Sequence, residues 1–431
     1  MMPERTGGAP SYAYPAYREK WPRAAKHING ITAWAYWLGW FPVAPLNMIA
    51  ASAYLADRFH LNTTSGFTPI HTFIAWSTRV VDRGHLDRRD PALLHPGVPR
   101  DSLRDGIRDG VPAMLSMIPL TFIAIAWIFH PSVAHWGQFS GFHHLDGTSF
   151  FSSLGGHGWL TVYIAYSFLL TWNVIAMEAA ACYIGECKDP ERDAKIAMNL
   201  EGAYGLFTYT LIPIAFIVVL GAKALSNTAL IDPKTIFVTF ADKVFGGSTG
   251  TALNWLIALM LIVALALSAL NAIMGCARSL HQMSVDGQFP RFFQKINKHG
   301  VPDRAMFFNV VCSLVVVLAG GAVEIYSFSN VGYTFSFVPV LVGDYLLRKY
   351  KPNARRPVRL PEFFKYIALA MAVLYFVIWL YGGIYYLRIG HTLVYYLAGW
   401  AVLAAYLPLN WYRVKKAAPE TPTAVVLPSG P

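Results

Sequence analysis

Charge is what this sequence has least of. Asp, Glu, Lys and Arg make up 14% of its 431 residues, against about 25% in soluble domains. That argues against an ordinary soluble globule. Disorder is excluded as well, because a chain that is 55% hydrophobic has ample apolar surface to bury. Four cysteines in this length exclude a disulfide scaffold. The first thirty residues hold no apolar run, so no secretory signal peptide is expected there. No His-Glu-x-x-His pattern and no second cysteine pair beside Cys182 and Cys187 occurs, so neither a metal site nor a metal cofactor is expected. The glycine-rich stretch 246–250 lacks the lysine of a phosphate loop.

What the sequence does have is apolar length. The formal net charge of +11 could point to nucleic acid. With a mean hydropathy of +0.40, basic loops of a membrane protein explain it better, and the expected partner is a lipid bilayer rather than a nucleic acid. Apolar runs fall at 31–56, 111–129, 158–183, 202–225, 251–277, 305–323, 326–347, 363–387 and 391–411. Each can cross about 30 Å of hydrocarbon at 1.5 Å per residue. The expectation is an all-α polytopic membrane protein with about nine spans, two of them joined by a tight turn near 320–324 into a helical hairpin. Residues 1–30 read as a cytoplasmic lead segment, 31–413 as the transmembrane domain, and 414–431, rich in Pro and Thr, as a disordered cytoplasmic tail.

Loop charge sets the orientation, since Lys and Arg accumulate on the cytoplasmic side. The lead segment, the loops near 190, 290 and 350, and the tail are basic, whereas 131–150 and 319–327 contain no Lys or Arg. This predicts a cytoplasmic C-terminus. It also places both the lead segment and the start of 111–129 inside, so an even number of crossings must lie between them. One full span is visible there. The conflict falls on 61–110, where 66–78 begins like a span and then stops. Residues 79–109 hold seven Arg and six Asp but no Lys or Glu. Half a span would leave unsatisfied backbone in lipid. Out-of-frame or inserted coding sequence at 79–110 is the expectation.

Two motifs carry a family resemblance. Ala176-Met177-Glu178 is followed by Glu186-Cys187-Lys188-Asp189-Pro190-Glu191-Arg192-Asp193. This resembles the amino acid–polyamine–organocation permeases, whose sixth helix passes through a small-aromatic-Glu segment into a Glu-x-Lys-Asn-Pro-x-x-Asp exit. Met177 stands for the aromatic and Asp189 for Asn. Gly275-Cys276-Ala277-Arg278, Asp286-Gly287, Pro290-Arg291-Phe292-Phe293 and Pro302 are similar to that family's exit from helix eight. The resemblance implies that the nine spans correspond to helices 3 and 5–12 of a twelve-helix, leucine-transporter-like inverted-repeat fold. Helices 1, 2 and most of 4 would then be missing, and Met1 would be an internal start.

The resemblance further implies a secondary transporter of amino acids or related amines in the plasma membrane, working by alternating access, and not an enzyme. In such folds substrate binds at mid-bilayer beside discontinuous helices. The break in the sixth-helix equivalent is expected near Thr171, Trp172, Asn173, Ile175 and Ala176, with backbone groups binding substrate and Trp172 or Ile175 walling the pocket. Thr171 and Asn173 could equally be interhelical hydrogen-bond partners. Glu178 is an ionisable group inside a span, where burial is costly. It either anchors a neighbouring helix or serves gating or coupling to H+ or Na+. Asn47, Pro42, Pro45, Ser268, Asn271, Tyr333, Thr334 and Ser336 are polar or kinked positions on other helices of the pathway. The resemblance also leaves a non-transporting remnant open, since helix 1 supplies half of the family's site. A membrane-bound metal enzyme using His130, His135, His143, His144 and His157 is the third reading; interfacial loop histidines explain that cluster without a metal.

Overall fold

The computed structural model describes residues 7–59, 117–139, 149, 151–153, 156–184, 187, 189–225, 235–298, 300–319, 321–353, 360–389 and 392–416. The partial span at 66–78, the Arg/Asp-rich segment 79–110 and the tail from 417 lie outside the described residues.

The chain opens with α1 (Ala9–Lys20), α2 (Pro22–Trp40) and α3 (Val43–Phe59). Prolines at the starts of α1 and α2 suit positions whose N–H would be unpaired anyway. α2 and α3 form one line, Ala24–Phe59. It is interrupted at 41–42, where Pro42 and Pro45 remove backbone donors. Residues 9–30, read as a lead segment, are folded onto the bundle: Ala13, Ala16, Tyr17 and Ala25 are buried with Leu346.

There follow α4 (Met117–Phe129) and α5 (Trp159–Ile175), which continues as a 3-10 segment, Ala176–Cys182. Next come α6 (Pro190–Leu220), α7 (Ile236–Phe245), α8 (Gly247–Val285), α9 (Asp303–Ala319) and α10 (Ala322–Tyr350). The series ends with α11 (Phe364–Val377), a π-helical turn (Ile378–Gly382), α12 (Gly383–Ile389), α13 (Leu393–Ala404) and α14 (Tyr406–Lys416). Among the described residues, six helical segments are long and apolar enough to cross a membrane. The other three expected spans are also helical where described, at α4, at α5 with its 3-10 continuation, and at α9, with shorter α-helical runs. The result is an all-α polytopic membrane protein.

α2 and α10 form the centre. In the membrane window of α2–α3, 72% of residues are buried, against 28% for the α11 segment and 22% for the α13 segment at the periphery. α10 packs most extensively on α2, then on α1, α11 and α13, while α8 packs on α3, α7 and α9. The turn near 320 therefore joins two helices that pack mainly on other neighbours rather than on each other. Small residues permit the central crossing. A Cβ on Gly332 would lie 2.5 Å from the Ala35 carbonyl oxygen, and one on Gly39 would overlap the Tyr333 side chain. Such close approach substitutes for the hydrophobic driving force that lipid cannot supply.

Hydrogen bonds cross the same interfaces. Trp37 Nε1 donates to Asn309 Oδ1 at 2.7 Å, Asn309 Nδ2 to the Ile273 carbonyl at 3.1 Å, and Asn47 Nδ2 to Ser268 Oγ at 2.8 Å. On the outside, Phe307, Leu318 and Val394 are about 70% exposed. On a soluble protein that would be an unusually apolar surface; here lipid is the solvent. One end of the bundle collects the basic segments. Lys351 Nζ pairs with Glu19 at 2.7 Å, Lys20 lies over the Tyr350 ring, and Asn410 meets His27 at 2.8 Å.

The two motifs are structural at their ends. Asp189 caps α6 by accepting from the Arg192 N–H at 3.2 Å, with Pro190 in the first turn. Gly287 follows α8 at φ 69°, a conformation natural to glycine. Arg278 is buried, with its guanidinium 4.6 Å above the Tyr183 ring.

Candidate functional site

α5, expected from the family resemblance to carry the broken helix, changes its winding at Ile175. It runs as α-helix to that residue and as 3-10 helix from Ala176 to Cys182. The expected unwound break at 171–176 is thus a tightening located at its last two residues. Seven residues of 3-10 helix is long for that form, which rarely exceeds four residues. The run Ala-Met-Glu-Ala-Ala-Ala-Cys explains how neighbours come close: Ala179, Ala181 and Cys182 are all buried. α6 packs against this segment.

Glu178 sits inside it, 8% exposed. Three donors converge on its Oε1: Tyr333 Oη at 2.7 Å, Trp40 Nε1 at 3.1 Å and Tyr36 Oη at 3.2 Å. Tyr36 and Trp40 share a face of α2 at i, i+4 spacing, and Tyr333 comes from α10. A carboxylate accepting several hydrogen bonds can be held in a dry site. Oε2 is buried without a partner among the described residues. The anchoring expected of Glu178 is therefore present, as a clasp tying the 3-10 segment to both central helices.

Trp172 reaches the same helices one and a half turns earlier. Its Nε1 donates to the Gly39 carbonyl at 3.1 Å, and its ring packs edge-on against Tyr326 and Tyr333, with centroids 5.1 and 6.3 Å away. Tyr333 thus touches both Trp172 and Glu178. Thr171 is buried and donates to the Ser167 carbonyl of its own helix, while Asn173 is half-buried. Ile175 and Ala176 are the two residues between which the winding changes. Of the other polar positions, Asn47 pairs with Ser268, Asn271 accepts from Tyr183 Oη through its carbonyl at 2.9 Å, and Ser336 donates to the Tyr333 carbonyl at 2.7 Å. Thr334 is buried, and its Oγ1 has no partner among the described residues.

Sequence reasoning missed three members of this cluster. Tyr36 and Trp40 lie in an aromatic run, Trp34–Phe41, that reads as ordinary packing. Glu201 looks like the flank of a span, yet α6 begins eleven residues earlier. Glu201 is half-buried and has its Oε2 buried without a partner among the described residues. An acidic residue beside a long apolar run was the available signal.

The outer-loop histidines do not converge where described. His130 packs edge-on against Phe245 and His157 against Tyr385, and His143 and His144 lie outside the described residues. Among the described residues no group of three His, Cys, Asp or Glu side chains could hold a metal. A cavity of about 320 Å³ lies between α2, α9, α10 and α13, lined by Trp37, Phe41, Cys312, Val315, Phe328 and Val402 among others. None of the expected substrate residues lines it.

Known proteins resemble this chain along the same segments. The sequence profile of the amino acid permease family matches residues 111–403. An uncharacterized transporter of Legionella pneumophila is 23% identical over 379 residues, covering 83% of this chain and 71% of that protein. L-asparagine permease 1 of Mycobacterium tuberculosis is 29% identical over 185 residues, covering 42% of this chain and 35% of the permease. The D-serine/D-alanine/glycine transporter of Escherichia coli is 23% identical over 253 residues, covering 56% of this chain and 50% of the transporter. With the profile match extending over well more than half of its length, the chain belongs to the amino acid permease family.

Proposed function

We propose that the chain is a secondary transporter of small amino acids or related amines, with substrate bound beside the α5-to-3-10 transition. The observation that carries this is the seven-residue 3-10 segment that continues α5, clasped at Glu178 by aromatic residues of the two central helices. Thr171, Trp172, Asn173, Ile175 and Ala176 flank the change of winding. The change of winding re-aims backbone groups at the place where folds of this kind bind charged parts of a substrate, and Trp172 supplies the apolar wall. Glu178, with Glu201 near it on α6, is the candidate for gating or for coupling to H+ or Na+. The names of the relatives suggest asparagine, glycine, D-serine and D-alanine as first probes.

The protein is proposed to lie in the plasma membrane with its C-terminus in the cytoplasm. Support comes from the basic segments near 20, 350 and 410 meeting at one end of the bundle. Reporter fusions to the C-terminus read that orientation directly.

Uptake of the radiolabelled probes into proteoliposomes tests the function. Saturable uptake that empty liposomes lack is expected, and Trp172→Ala is expected to reduce it. A folded, inserted protein that neither takes up nor binds any of the probes would overturn the reading in favour of a non-transporting membrane protein.

A further inference from the structure

The cavity of about 320 Å³ between α2, α9, α10 and α13 is graded from outside to inside. Val311 and Val315 of α9 form its mouth, and Val315 is 62% exposed. Cys312 and Val402, both half-buried, stand along its walls. Trp37 and Phe41 of α2 form its floor, at 2% and 4% exposed. The mouth belongs to an outward stripe of α9. Phe307, Val311, Val315 and Leu318 follow one another at helical spacing, and all are exposed. The crevice therefore opens onto the lipid-facing surface of the bundle and ends against a central helix. It also lies away from the basic end. Val315 is in the last two turns of α9 and Phe328, another lining residue, in the first two turns of α10, whereas Lys351 meets Glu19 at the far end of α10.

Chemistry and width decide what fills such a crevice. Among the described residues its lining is aliphatic, aromatic or thiol. The Trp37 indole N–H is already given to Asn309 Oδ1 at 2.7 Å. An ordered water needs two to four polar partners, whereas a dry apolar cavity of about 150 Å³ takes up benzene. An amino acid would bury its ammonium and carboxylate here unpaired, at a cost its side chain does not recover. A helix of a second copy, about 10–12 Å across, is too wide for a space of this volume. A hydrocarbon chain is not, and lipid is the medium at the mouth. We propose that the crevice binds a single acyl chain of a membrane lipid, which enters past Val311 and Val315 and packs against Trp37 and Phe41. The chain comes from the leaflet opposite the basic end. This site is separate from the α5-to-3-10 transition and stands or falls independently of the transporter reading.

Photocrosslinking reads the site directly. The full chain is placed in phosphatidylcholine nanodiscs that include a phosphatidylcholine bearing a diazirine midway along one acyl chain. After illumination, peptide mass spectrometry locates the adducts. Bulk lipid is expected to label the exposed Phe307 and Leu318, which serve as the internal standard. Trp37 and Phe41 are buried, so adducts on them require a chain inside the crevice, and such adducts are expected. Val402→Phe puts a ring into the crevice and should lose the α2 adducts while keeping those on Phe307 and Leu318. Val394→Phe, on the outer face of α13 at 74% exposed, should keep both. Labelled Phe307 and Leu318 with no adduct on Trp37 or Phe41 overturn the proposal. So do α2 adducts that persist in Val402→Phe, or that are lost equally in Val394→Phe. Should Val402→Phe not fold, the unaltered protein decides alone: adducts on Trp37 and Phe41 support the site, and their absence refutes it.

Discussion

The clasp on Glu178 makes a quantitative claim about two substitutions at one position. Glu178→Ala strands three buried donors at once: Tyr333 Oη, Trp40 Nε1 and Tyr36 Oη, now 2.7 to 3.2 Å from the lost oxygen. A stranded donor costs about 1–3 kcal/mol in soluble proteins, and interhelical bonds in membranes average about 0.6 and reach about 1.7 kcal/mol. Three together give about 2–5 kcal/mol, plus a small cavity. Part of this is offset, because the buried carboxylate was itself costly. Glu178→Gln behaves differently. Its carbonyl oxygen can keep all three donors, and its amide replaces Oε2, which has no partner among the described residues. Alanine is therefore expected to be less stable than glutamine by at least about 1–2 kcal/mol, read as a thermal-unfolding midpoint several degrees lower in nanodiscs. Tyr333→Phe should destabilise the unaltered protein and do little in the Glu178→Ala background, since the bond is already gone. Equal midpoints for the alanine and glutamine variants, or additive effects with Tyr333→Phe, would show that the three donors do not hold the helices through this oxygen.

Two further contrasts test the packing. Gly332→Ala places a methyl 2.5 Å from the Ala35 carbonyl and must part α2 from α10, so a loss of about 1–3 kcal/mol is expected by urea unfolding; Gly202→Ala, with nothing within 4 Å of its Cβ, should be neutral or mildly stabilising. Arg348 is buried, pairs with Asp344 at 2.9 Å and donates to the Leu360 carbonyl at 3.2 Å, so Arg348→Ala should cost about 2–4 kcal/mol. Lys351→Ala breaks only the half-exposed pair with Glu19 and should shift the same melt by under about 1 kcal/mol.

Much of the architecture was legible because the bilayer imposes a simple rule: a span needs about 20 apolar residues and internally satisfied backbone. All nine expected segments are helical over most of their described residues. Pro42 and Pro45 marked kinked positions at the interruption between α2 and α3, whereas α6 begins at Pro190, inside what reads in the sequence as a basic loop before a span at 202–225. The burial of residues 9–30 was not legible, because α1 is short and its buried positions, Ala13, Ala16 and Tyr17, are small or amphipathic and give no apolar run. The π-helical turn at 378–382 likewise leaves no trace in a uniformly apolar sequence.

At the candidate site the division is sharper. Sequence by itself determined that Glu178 is an acid within a span, that Trp172 precedes it by six residues, and that a membrane surrounds both, because composition and local spacing are properties of the chain alone. Tertiary structure alone decided that Tyr36, Trp40 and Tyr333, from positions 138 to 155 residues distant, converge on one oxygen. It alone set Glu201 near them on α6. Partners in a buried hydrogen bond are chosen by how helices cross. That crossing depends on where glycines let two backbones approach, which no local pattern in the sequence encodes.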